Sequence, residues 1–103
     1  MNNHSIKITV DAQKDIRNII KYIKYKLKEP LIADKMKQRF YDKLKALQDN
    51  PFYAVVDDDR LKEFEYRRVV VGNYLIFYRI NETKKLVTVD RVMYAGIDWQ
   101  NKL

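Results

Sequence analysis

Tyr66, Arg68, Phe77 and Arg79 are the residues of this chain whose types and spacing best suit chemistry on a nucleic acid. Two runs rich in Val, Ile, Tyr and Phe, residues 63–71 and 74–80, are separated only by Gly72-Asn73, the composition of a two-residue hairpin turn. Pairing Val71 with Tyr74 across that turn sets the register. Val69 then meets Ile76 and Arg67 meets Tyr78 on one face, while Val70 meets Leu75, Arg68 meets Phe77 and Tyr66 meets Arg79 on the other. The second face gathers two guanidinium groups and two rings, a mixture suited to phosphate contact and base stacking. The same four residues equally suit ordinary cross-strand pairing on a solvated face. The first face is the more apolar and is expected to meet the core.

Other elements must hold this hairpin in place. Residues 5–10 alternate Ile6, Ile8 and Val10 with Lys7 and Thr9, the period of a half-buried strand. Asp11 stands where an N-cap belongs, ahead of Ala12, Ile16, Ile19, Ile20, Ile23 and Leu27, whose spacing puts them on one face of a helix. Lys14, Arg17, Lys21, Lys24 and Lys28 form a separate basic stripe about 130° away, read as a solvated face or a nucleic-acid contact. Pro30 starts a second helix with Ala33, Met36, Phe40, Leu44 and Leu47 on its apolar face, and Asn50-Pro51 stops it. Residues 52–61, with Phe52, Tyr53, Val55 and Val56 and an acidic run at 57–59, read as loop. The last strand spans 86–93, with Val87, Val89 and Met93 competing against Leu86 and Val92 for the core side. In the tail, Trp99 reads as a packing anchor.

Composition narrows the chemistry. The chain has 103 residues, 47% hydrophobic and 13% aromatic, enough for one core, so 1–103 reads as a single domain. It has no cysteine, which excludes a disulfide scaffold, a thiol nucleophile and Cys-ligated metal, and fits a cytoplasmic protein. The single histidine, His4, lies in an N-terminus expected to fray, so neither a His-rich metal site nor a catalytic triad is expected, and no cofactor is implied. Twenty-one Lys and Arg against 14 Asp and Glu give a net charge of +7, favouring a polyanionic or acidic partner. No apolar run is long enough to span a membrane.

The resulting fold class is α+β: an N-terminal strand, a two-helix hairpin, then a three-stranded antiparallel meander completing one small sheet. That order, together with RRVVVGNYLIFYRIN, VTVDRVMYAGIDW, the first-helix string DAQKDIRNIIKYI and the Asn-Pro after the second helix, resembles the RelE/ParE superfamily of toxins from bacterial type II toxin–antitoxin modules. The resemblance implies a cognate acidic antitoxin as partner. It also implies one of two activities: ribosome-dependent cleavage of mRNA, the first expectation, or inhibition of DNA gyrase by protein contact, the alternative.

In the nuclease members a basic residue precedes the glycine turn, an arginine lies near the start of the next strand, and a His or Tyr sits near the C-terminal end. Arg68 matches the first position and Tyr94 the last, and both are the expected catalytic residues. Leu75 stands where the arginine belongs, and Met93 where some members have histidine. Gly96 and Ile97 precede Asp98, where an Arg is often found. RNA cleavage by 2′-hydroxyl attack needs a base, positive charge for the phosphate and an acid for the leaving oxygen. Arg68 and Arg79 supply charge and Tyr94 a proton, but a phenol with a pKa near ~10 is a poor base at neutral pH. Glu63 and Glu65 are candidate bases, and read as readily as solvated edge charges.

Overall fold

The structure is a computed structural model, and it describes residues 4–52 and 65–97. Tyr53, Val55, Val56, the acidic run at 57–59, Glu63 and Trp99 lie outside the described residues. The element order is β1 (Ser5–Ile8), α1 (Val10–Lys21) continuing into a π-turn (Tyr22–Lys26), α2 (Pro30–Asp49), β2 (Arg67–Val71), β3 (Tyr74–Asn81) and β4 (Leu86–Tyr94). The four strands form one sheet in the order β1-β4-β3-β2, with β1 parallel to β4 and the other two pairs antiparallel. The α+β class and the strand, helix-hairpin, meander order expected from the sequence are therefore those observed.

Helix α1 begins earlier than Asp11 suggests. Thr9 is the N-cap, its Oγ1 accepting the Ala12 N–H at 3.1 Å while donating to the Asp90 carbonyl at 2.9 Å, so one hydroxyl both caps the helix and ties it to β4. β1 accordingly stops at Ile8, Val10 opens the helix, and Asp11 falls in the first turn, where its charge suits the helix dipole. At the other end the Leu27 N–H reaches the Tyr22 carbonyl, five residues back, at 3.0 Å. That extra residue per turn advances the helical phase, so Leu27, which an unbroken α-helix would bury, is 51% exposed. Lys28 then takes a left-handed φ of 55° and α2 starts at Pro30.

Ala12 and Ile23 from α1 and its π-turn, with Ala33, Met36, Phe40 and Leu47 from α2, pack on one face of the sheet against Val69, Val71, Ile76, Tyr78, Val87, Val89 and Val92. The β2–β3 register is the one read from Gly72-Asn73, from Val71 opposite Tyr74 to Arg67 opposite Tyr78. Gly72 has φ +59°, so the turn needs glycine for its backbone, while the nearest atom a Cβ would meet, the Met36 Cε at 2.9 Å, is the end of a flexible side chain that can move aside. A bulge settles the open question of β4. Its register against β3 shifts so that Phe77 faces Arg91 and Tyr78 faces Val89, leaving Asp90 as the additional residue. Val87 and Val89 point to the helices before the bulge and Val92 after it, while Met93 goes to the opposite face.

His4 does not fray. Its side chain is buried, its Nε2 donates to Glu82 Oε1 at 2.7 Å, and its ring meets Phe52 edge-on at 6.1 Å. Glu82 also accepts from Lys85 Nζ at 2.9 Å, and the hydrogen bond from His4, then that from Lys85, holds its carboxyl below the ordinary value of 4.5. Because the folded value is the lower one, this contribution is complete above the ordinary value and is lost as pH falls through the folded value. Amide exchange at Ser5, whose N–H bonds the Lys85 carbonyl at 2.8 Å, is therefore expected to lose protection selectively below about pH 4.5. Glu82→Gln should remove that pH dependence. Protection unchanged down to pH 3 would contradict the clamp.

Candidate functional site

On the face of the sheet away from the helices, β2 and β3 bring Arg68 opposite Phe77, as the register requires, and β4 adds Met93 opposite Leu75. Phe77 is not a stacking platform. It is 0% exposed and, with Leu75 and Met93 at 5% each, forms a second buried apolar cluster onto which Tyr66 packs. Three apolar neighbours on one face gain more by excluding water together than any of them gains by facing it. The two positions at which the sequence departs from the nuclease pattern are thus adjacent across one ladder, and both are dry.

Arg79 is engaged as well. Its Nε donates to Asp90 Oδ2 at 2.8 Å, and its guanidinium lies 5.4 Å from the Tyr66 ring centroid. Burial, then a hydrogen bond to Asp90, raises the Tyr66 hydroxyl above its usual pKa. Tyr66, Arg79 and Asp90 therefore form one network at the bulge, with the half-exposed Arg79 guanidinium paired with Asp90. Sequence reasoning missed Asp90 because nothing in the residue pattern marks the bulge that turns it to this face. Arg68 is half-buried on β2. Glu65 is exposed, with φ 60°, just before the strand.

Tyr94 lies on the other face. It pairs with Tyr74, and the two rings meet edge-to-face at 6.0 Å with Phe40 behind Tyr74 at 5.9 Å. The expected catalytic pair is therefore split, Arg68 on the outer face and Tyr94 on the helix side. Tyr94 borders a cleft of about 730 Å³ between α1, the π-turn and the end of β4, shared with Tyr22, Tyr74, Asn18, Asn73 and Ile97. One wall is an ion pair that also braces the fold: Arg91 Nε and Nη2 donate to Asp15 at 2.8 and 3.1 Å, and Asp15 accepts the Val92 N–H at 2.9 Å. Beyond the end of β1, this carboxylate takes the place of a neighbouring strand. Burial, then the neighbouring Tyr22 and Tyr94, raises the Tyr74 pKa, so its hydroxyl stays neutral well past physiological pH. The cleft holds ring surface, amides, hydroxyls and the Asp15–Arg91 pair, and Asp15, its one carboxylate, is engaged by the Arg91 guanidinium and the Val92 N–H. Among the described residues no group of three His, Cys, Asp or Glu is arranged to hold a metal ion.

Comparison with known proteins bears directly on this arrangement. A family model described as the ParE toxin of the type II toxin–antitoxin system, parDE, matches residues 6–99. The chain belongs to the ParE toxin family. It is a type II toxin–antitoxin toxin of the ParE/RelE superfamily, and the outer-face apolar cluster and the split of Arg68 from Tyr94 are features of this ParE-family chain. Similar solved structures share the fold at low identity. A chain of the chromosomal ParDE system from P. aeruginosa is 18% identical, with a TM-score of 0.72 over 93% of this chain and 100% of that one. A chain of the archaeal RelE–RelB complex from Pyrococcus horikoshii is 14% identical, with a TM-score of 0.62 over 91% and 97%. One from the RelBE2 toxin–antitoxin complex of Mycobacterium tuberculosis is 17% identical, with a TM-score of 0.58 over 89% and 98%. No curated protein matches the chain.

Proposed function

We propose that this toxin arrests growth by inhibiting DNA gyrase through protein–protein contact, without nuclease activity. The observation that carries the reading is the Leu75–Met93 pair. Where the nuclease members of the superfamily hold charge for the scissile phosphate, this chain has two apolar side chains facing each other across the ladder, each 5% exposed. A buried apolar site cannot stabilise a phosphorane-like charge, which needs aimed donors in that place. Arg68 and Tyr94, on opposite faces, do not converge on one phosphate, and Tyr66, Phe77 and Arg79 are committed to packing and to Asp90. The tyrosine-lined cleft instead has the composition of a protein contact, in which neutral rings bury area at small entropic cost.

The acting unit in this proposal is the single domain 1–103, working in the cytoplasm. No described helix is long and apolar enough to cross a membrane. The three similar structures come from toxin–antitoxin systems or complexes, which supports a cognate acidic antitoxin as this toxin's partner. Ribosome-dependent mRNA cleavage, the first expectation from the sequence, keeps Arg68 on the strand before the glycine turn in its favour, and it predicts different variants. If gyrase is the target, Arg68→Ala and Tyr94→Phe should each arrest growth within about twofold of wild type, with cellular transcripts intact, because neither removes ring area from the cleft. If the protein cleaves mRNA on the ribosome, either change should abolish arrest, and wild-type induction should leave transcripts cut.

A further inference from the structure

We infer that the outer face of the α1–α2 pair binds the phosphate backbone of duplex DNA without reading its sequence. Residues 14–45 hold eleven of the 21 lysines and arginines and only four of the 14 acids, so this segment carries the chain's entire +7, and the remainder, with ten of each, is neutral. Two of those four acids are occupied: Asp15 by Arg91, and Asp42 by the Gln38 amide at 2.8 Å. Lys14, Arg17 and Lys21 are exposed at one per turn along α1, and Lys37 of α2 reaches the groove that Arg17 and Lys21 line. None of these four cations forms an ion pair with another described residue. Like charges left unneutralised on one layer repel one another, and a polyanion laid across them relieves that repulsion while releasing its own counterions.

The arrangement favours a duplex over other polyanions. The apolar floor of the groove, Ile16 and Ile20, forms a notch of about 340 Å³. On α2, Lys45 follows Lys37 about two turns further on, while Arg39 and Lys43 line a separate groove beside β2, so cations are spread along a helix on the order of 30 Å long. An acidic peptide would use the notch and leave that length of charge uncovered, whereas a stiff rod of phosphates spans it. Single strands need rings to stack on. Of the exposed rings on these helices, Tyr25 and Tyr41 already have Lys24 and Lys45 over them at 5.3 and 5.6 Å, Tyr22 lines the cleft beside Tyr74, and none stands between Lys14 and Lys21. Lysine contacts to phosphate fix position without sequence information. This inference goes beyond the gyrase reading and does not rest on it, although it would hold the toxin on the polymer that gyrase handles.

The test is fluorescence anisotropy of a labelled 20-base-pair duplex of arbitrary sequence titrated with the purified toxin at salt concentrations between about 50 and 200 mM. With at least the four phosphate contacts of Lys14, Arg17, Lys21 and Lys37 the slope of log K against log salt should be about −4 or steeper, a loss of affinity of about a hundredfold or more over that range. Arg17→Gln with Lys21→Gln should make the slope shallower by about 2, whereas Lys7→Gln with Lys84→Gln, equal in charge but off the helices, should leave it unchanged. Circular dichroism confirms that both double variants fold. Equal losses from the two double variants, absence of binding at 50 mM salt, or tighter binding of polyglutamate or single-stranded RNA of equal charge would each overturn the proposal.

Discussion

Leu75→Arg is expected to destabilise the toxin by on the order of 3 to 5 kcal/mol, enough to consume much of the stability of a domain this size. The substitution restores the residue type that nuclease relatives carry at this position, so simple analogy would call it benign. In this chain it places a guanidinium opposite Met93 and Val70, beside fully buried Phe77, in a cluster of described residues that contains no carboxylate. Asp90, the acid nearest in register, is already taken by Arg79. Leu75→Met, which keeps volume and polarity, should cost less than about 1.5 kcal/mol. Urea melts of the two variants beside wild type decide the matter. A Leu75→Arg protein melting with wild type would mean that the outer face is wet, and the chief structural argument against a nuclease would go with it.

Phe40→Ala should cost about as much, roughly 3 to 5 kcal/mol, by the different route of a cavity. Phe40 is 1% exposed, packs with the core of α2 against the sheet, and backs the Tyr74 ring. Its loss should therefore loosen Tyr74, and through it the edge-to-face contact with Tyr94 that shapes the cleft. Tyr41→Ala, next in sequence but 58% exposed, should change stability by no more than about 0.5 kcal/mol. The contrast, read as melting temperatures, tests whether the α2 face assigned to the core is the one that bears the load. Similar losses from both would show that α2 is oriented differently.

The sequence carried the regular parts of this fold and missed those that depend on one residue out of phase. The hairpin register was legible because Gly72-Asn73 fixes the turn and alternation does the rest. The apolar faces of α1 and α2 were legible because burial repeats with the helical period. The π-turn at Tyr22–Lys26 was not, since no proline or glycine marks it, and it is the reason Leu27 faces solvent. The bulge at Asp90 was equally silent, and it alone decides which side Val92 and Met93 take. His4 was misread because its partner, Glu82, is 78 residues away, and only the parallel docking of β1 on β4 brings them together. The surroundings of the expected site residues were hidden for a related reason. A strand pattern says which residues share a face, but it does not say that Leu75, Phe77 and Met93 will bury one another or that Asp90 will claim Arg79.

Action on gyrase and not on mRNA is read out in a supercoiling assay with purified gyrase, relaxed plasmid and ATP. The toxin at modest molar excess over gyrase is expected to abolish supercoiling, and Arg68→Ala to do the same. A translation extract given the same dose should show its mRNA intact. Undiminished supercoiling at that dose, with mRNA cut at the ribosomal A site and the cutting lost in Arg68→Ala, would make the toxin a ribosome-dependent nuclease instead.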